Sequence, residues 1–172
     1  MSDTLNMDNF VGLSAVMTGF SATKFAPSLD PVDIKSTYIK VWSAKVDVEA
    51  KQKGLAASIL SNYASLRAQT PALSDQEIGE QLLANNAQEI PCRKLIYLWY
   101  MGAWPTVKAE PGNAAGTNGN TSFETISSKS YTSGLVWQVM QSHPMGDSNY
   151  RYGYWSTAPA TLDNYTGNGE SS

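Results

Sequence analysis

The chain has one histidine, His143, and one cysteine, Cys92. Those two residues bound most of the chemistry it could perform. A metal site built on several histidines is excluded, and a Ser-His-Asp arrangement would have to pass through His143 alone. His143 lies in Ser142-His143-Pro144-Met145-Gly146, a turn-like segment. A lone histidine before proline reads as a packed or hydrogen-bonded structural residue rather than a base. Cys92 follows Pro91 at an expected helix start, where a thiolate would be mildly favoured. With no histidine near it in sequence, it reads as an inert buried thiol, and as a single cysteine it excludes an internal disulfide. The glycines 112, 116 and 119 do not make a dinucleotide fingerprint: the spacing is wrong and no strand pattern precedes them. No Gly-Lys-Ser/Thr phosphate loop is present, and the carboxylates are scattered over helix faces. The expectation is a chain with no catalytic, cofactor-binding or metal-binding residues of its own.

The elements that would position these residues read as helices. Phe10, Leu13, Met17 and Phe20 recur at helical spacing with Gly19 near the end. Asp30-Pro31 predicts a helix start, with Ile34, Tyr38, Val41 and Trp42 along one face. Gly54 interrupts, and Leu55, Ile59, Tyr63 and Leu66 continue the pattern. Ser74-Asp75-Gln76-Glu77 spells a capping box that opens a helix through Ile78, Leu82 and Leu83. After Pro91 the run Leu95 to Met101 is apolar all round, which predicts burial on most sides. Core packing is the expected role of all these stripes. The predicted fold is mostly α: a single domain with a helical body over residues 1–104 and a long Gly/Asn-rich loop over 105–128. A last helix over 129–140 and an extended aromatic tail over 141–172 complete it.

Composition fits either a surface covered by a partner or a polar secreted one. Charged residues make up 16% of the chain against 42% apolar, and there are 9 Tyr and 5 Trp. Soluble domains average about a quarter charged, and Tyr and Trp are the residues that bury area while keeping a polar tip. The net charge of −3, with 12 basic and 15 acidic residues, and the lack of a dense basic run exclude nucleic acid as partner. The longest apolar stretch, Leu95 to Trp104, is far short of a membrane span, so no direct membrane insertion is expected. The tail concentrates Tyr150, Tyr152, Tyr154 and Trp155 among turn residues. So much aromatic area without secondary structure must lie against something, either its own helices or a partner.

Three segments together resemble a known family. Phe10-Val11-Gly12-Leu13-Ser14, then Met17-Thr18-Gly19-Phe20, resembles an N-terminal motif of the small subunits of FAD-dependent sugar and polyol dehydrogenases. Leu98-Trp99-Tyr100-Met101-Gly102 resembles that family's central tryptophan-tyrosine-x-glycine segment. Tyr131, Leu135-Val136-Trp137, His143-Pro144-Met145-Gly146 and Gly153-Tyr154-Trp155 are similar to its C-terminal signature. The resemblance covers most of the chain in the same order. It implies a small accessory subunit of sorbitol, fructose, glucose or related glycoside dehydrogenases. Such a subunit is mostly helical, holds no cofactor, and supports the folding and stability of its partner. The large subunit, of the glucose–methanol–choline oxidoreductase type, carries the FAD, and a multihaem cytochrome c subunit often accepts the electrons. Trp137, His143, Pro144, Tyr150, Tyr152, Tyr154 and Trp155 are the expected partner-binding residues.

The family commonly carries a twin-arginine signal, and Met1 to Asn9 is acidic and polar instead. The chain as given therefore reads as cytoplasmic, or as periplasmic after removal of a signal. Cys92 lies away from the tail signature and inherits no role, and neither does the 105–128 loop. Two other readings stand beside this one. The Tyr150–Trp155 aromatics could be the stacking platform of a secreted carbohydrate-binding module, although such platforms usually sit on β-scaffolds. The chain could also be an enzyme centred on His143.

Overall fold

The computed structural model describes residues 6–107, 121–142, 144 and 166, and the structural statements below concern these. They are mostly helical, with eight helices and one two-stranded sheet, as the periodicity predicts. The chain divides into two compact units, residues 1–96 with 160–172, and residues 97–159.

In the first unit, α1 (Met7–Thr18) starts at Asn6, whose side chain accepts from the Asn9 N–H, and ends at Gly19 with φ 76°. Both ends follow from residue type, an Asx N-cap and a glycine free to adopt the left-handed conformation. After the short α2 (Ala22–Phe25) the Asp30-Pro31 start signal misses its helix by three residues. The Asp30 carboxylate does accept from the Asp33 N–H at 2.8 Å, as an N-cap would. Asp33, however, takes φ 48°, and α3 (Ile34–Glu49) begins only after it. Lys35 bonds both Asp30 and Asp33, holding this turn together. The α3 C-terminus closes with Lys51 N–H to the Val48 carbonyl and Gln52 N–H to that of Asp47. The Asp47 carboxylate then accepts from the Gly54 and Ala56 N–H groups at 2.7 and 3.0 Å, capping α4 (Leu55–Arg67) from the end of the previous helix. The Ser74–Glu77 capping box forms in full and opens α5 (Asp75–Ala84).

The core of this unit is built from the predicted stripes. Phe10, Leu13, Tyr38, Trp42, Ile59, Ile78 and Leu82 are fully buried. The Phe10 and Trp42 rings meet at 5.8 Å, and the Trp42 indole N–H donates to the Pro91 carbonyl at 3.1 Å. That bond satisfies the one polar atom of a side chain otherwise chosen for its area. α6 (Glu89–Met101) accommodates Pro91 in its first turn, where a missing N–H costs nothing. It is not buried all round: Leu95, Leu98 and Trp99 are covered, while Met101 is 40% exposed.

The second unit corrects two expectations. Residues 105–128 do not form one structureless loop. Ala103–Val107 (β1) and Thr121–Thr125 (β2) pair as antiparallel strands in register Ala103↔Thr125. A five-residue strand is too short to show a period, and Pro105 argues against a strand unless it lies at an edge. In a two-stranded ribbon that condition holds. Phe123 of β2 stacks on Tyr97 of α6, with centroids 5.3 Å apart and planes 12° from parallel. The single helix expected over 129–140 is two, α7 (Ser128–Thr132) and α8 (Leu135–Val139), broken at Ser133-Gly134. No described helix is long and apolar enough to cross a membrane.

Candidate functional site

The described parts of the segments that carried the family resemblance contain several close contacts. Gly102 ends the Leu98-Trp99-Tyr100-Met101-Gly102 run with φ 64°, and a Cβ there would lie 2.1 Å from the Ser130 carbonyl oxygen. Gly134 is as constrained: a Cβ there would sit 2.7 Å from the Tyr100 carbonyl oxygen and 3.3 Å from that of Tyr131. Two glycines thus let α6, α7 and α8 approach through their backbones, a contact that any side chain would prop apart. Trp137 completes the arrangement. Its indole N–H donates to the Tyr131 carbonyl at 2.7 Å, and its ring meets Tyr131 edge-on at 5.2 Å. Trp137 is half-buried, with its polar tip committed to its own chain; Pro144 is half-buried as well. His143, Tyr150, Tyr152, Tyr154 and Trp155 lie outside the described residues.

In the first unit Gly12, at the centre of Phe10-Val11-Gly12-Leu13-Ser14, faces Tyr63. A Cβ at position 12 would stand 2.2 Å from the Tyr63 hydroxyl oxygen and 2.8 Å from Cζ. Burial pushes the Tyr63 phenol above its ordinary pKa, against the smaller opposing effect of the nearby Arg67 charge. Arg67 also pairs with Asp75 across the turn between α4 and α5. Ser14, two residues after Gly12, is fully buried and donates to the Phe10 carbonyl at 2.7 Å, so it presents no free hydroxyl.

Above Gly12 the helices α1, α2, α4 and α5 enclose an open cleft of about 480 Å³. Its walls include Val16, Met17, Phe20 and Leu83, and its polar rim carries Arg67, Asp75 and Glu80. A volume of this order is that of a small-ligand or side-chain pocket. The backbone N–H of Ser21, on the same rim, donates to the Thr166 carbonyl at 2.8 Å, placing Thr166 at the edge of the cleft. No sequence motif announces this cleft. Its lining comes from separate helices, and only the glycine pattern 12, 19 and 79 hints at the space.

Cys92 is fully buried, and desolvation pushes its thiol up from the ordinary 9.0 to about 12. At neutral pH it is a small apolar residue with a protonated thiol, neither nucleophile nor ligand. Among the described residues no three His, Cys, Asp or Glu side chains are grouped so as to hold a metal ion. The C-terminal turn of α8 shows an inverted polarity. Val139 and Met140 are 42% and 63% exposed, while Gln138 Oε1 and Ser142 Oγ are buried without a hydrogen-bond partner. Comparison with protein-family models, curated proteins and solved structures found no match to this chain.

Proposed function

We propose that the chain is a non-catalytic accessory subunit that binds and stabilises a large FAD-dependent sugar or polyol dehydrogenase. The observation that carries the reading is the joint order of three sequence segments, from Phe10 to Phe20, from Leu98 to Gly102 and from Tyr131 to Trp155, which resembles the small subunits of such enzymes. Physical chemistry supports it from a second side. The chain has 16% charged residues, and apolar side chains such as Phe123, Val139 and Met140 stand in solvent. A surface of that composition gains by being covered. The described motif residues serve packing: Gly12, Gly102, Gly134 and Trp137 each set a close contact between elements of one unit. On this reading the FAD and the substrate pocket belong to the large subunit, and a multihaem cytochrome c receives the electrons.

The test is co-expression of the tagged chain with a flavin-containing dehydrogenase encoded beside it. The flavoprotein should co-purify in fixed ratio, and its yield and melting temperature should fall when the small chain is omitted. A flavoprotein that folds, holds FAD and turns over equally well without the chain would refute the proposal.

A further inference from the structure

Gly79 is an unforced glycine. It sits in the middle of α5, where glycine costs helix stability relative to alanine. Close packing does not demand it: a Cβ at 79 would make ordinary contacts of 3.6 Å with Met17 Cε and Val16 Cγ1, and its φ is not left-handed. What the missing side chain does is leave the cleft between α1 and α5 open, since Gly79 lines it. Among the described residues the rim has one cation, Arg67, and two carboxylates, Asp75 and Glu80. Arg67 is engaged by Asp75, which leaves Glu80, whose carboxylate accepts from the neutral Gln76 amide at 2.8 Å. Among the described residues the cleft therefore has apolar walls and a rim on which Glu80 has no cation partner.

We propose that this cleft seats an apolar anchor side chain of the large flavin-containing subunit, flanked by a basic residue that pairs with Glu80. The inference rests on the accessory-subunit reading and adds the place of contact. Interfaces concentrate their affinity in such anchors, seated in pockets and ringed by polar groups. Charge complementarity selects a basic over an acidic neighbour, because an acidic one would face Glu80 and Asp75 together.

The test uses the co-expressed complex, with bound flavin absorbance as the measure of captured partner. Gly79→Leu fills the cleft with a good helix former, and Glu80→Lys reverses the rim charge at an exposed position. Gly79→Ala adds only a methyl group in ordinary contact and is the control. Circular dichroism of each variant checks that the helices persist. Expected is a loss of captured flavoprotein on the order of tenfold or more for Gly79→Leu and Glu80→Lys, with Gly79→Ala at the wild-type level. If the wild-type chain holds the flavoprotein and both variants hold it equally, the cleft is not the seat and this proposal fails while the accessory reading stands. If the wild-type chain holds none, both fail together.

Discussion

A side chain at position 12 would collide with the Tyr63 phenol, and that collision ranks the residues of α1. Gly12→Ala must push a buried ring and its hydroxyl, and overpacking of this kind costs about 1–3 kcal/mol. Tyr63→Phe removes the atom that would sit at 2.2 Å, so the double variant should recover part of the lost stability. Chemical denaturation of the four proteins in the cycle reads the coupling; strict additivity would mean the two positions do not meet. Cys92 offers a pH test at the same scale. Its folded pKa is raised from 9.0 to about 12 by desolvation, so the folded state resists losing the thiol proton and the unfolded state does not. The contribution to stability is whole below about pH 9 and is lost as pH rises toward 12. Cys92→Ala should flatten that alkaline decline, at the cost of a cavity. Iodoacetamide at pH 8 should label the thiol only after unfolding, and rapid labelling of the native chain would contradict its burial.

At the scale of elements, legibility followed local chemistry. The end of α1 and the start of α5 could be read because Gly19 bonds Ala15 and Ser74 bonds Glu77, each within four residues. The start of α3 was misread because the backbone at Asp33, rather than the Asp30 cap, decides where the helix begins. The strands β1 and β2 were illegible because each is five residues long and the paired residues lie far apart in sequence, Ala103 with Thr125 and Val107 with Thr121. The break between α7 and α8 was masked by an apolar run that continues past Gly134. The Gly12–Tyr63 contact and the cleft need three-dimensional neighbours that no spacing reveals. One ending was invisible for another reason: α3 closes with Lys51 at φ 52°, in the place where glycine is usual. The left-handed conformation costs a non-glycine residue roughly 1–2 kcal/mol, partly offset by the greater unfolded-state freedom of glycine. Lys51→Gly should therefore raise stability by about 0.5–1 kcal/mol. A lower melting temperature for that variant would show that the Lys51 side chain contributes more than its backbone costs.

At the scale of the whole molecule the question is where the aromatic tail is needed. The helices of the first unit carry Phe10, Leu13, Trp42, Ile59 and Leu82, all buried. Thr166 accepts a hydrogen bond from the Ser21 N–H of that unit, and a bond of this kind is worth about 1 kcal/mol net. Removing residues 145–172 keeps Gln141 and Ser142, whose N–H groups close α8 on the carbonyls of Gln138 and Trp137. Because the periodic apolar stripes lie on the helices, the truncated chain should retain its helical circular dichroism. It should also lose the flavoprotein, because Tyr150, Tyr152, Tyr154 and Trp155 are the residue types that most often anchor interfaces, at about 2–4 kcal/mol each when truncated. Replacing Tyr154 and Trp155 together by Ala should reproduce most of that loss. Capture of the flavoprotein and helicity are measured on the same preparation. Retained capture would move the binding energy to the cleft and the α8 turn. Lost helicity would mean that the aromatics complete the chain's own core.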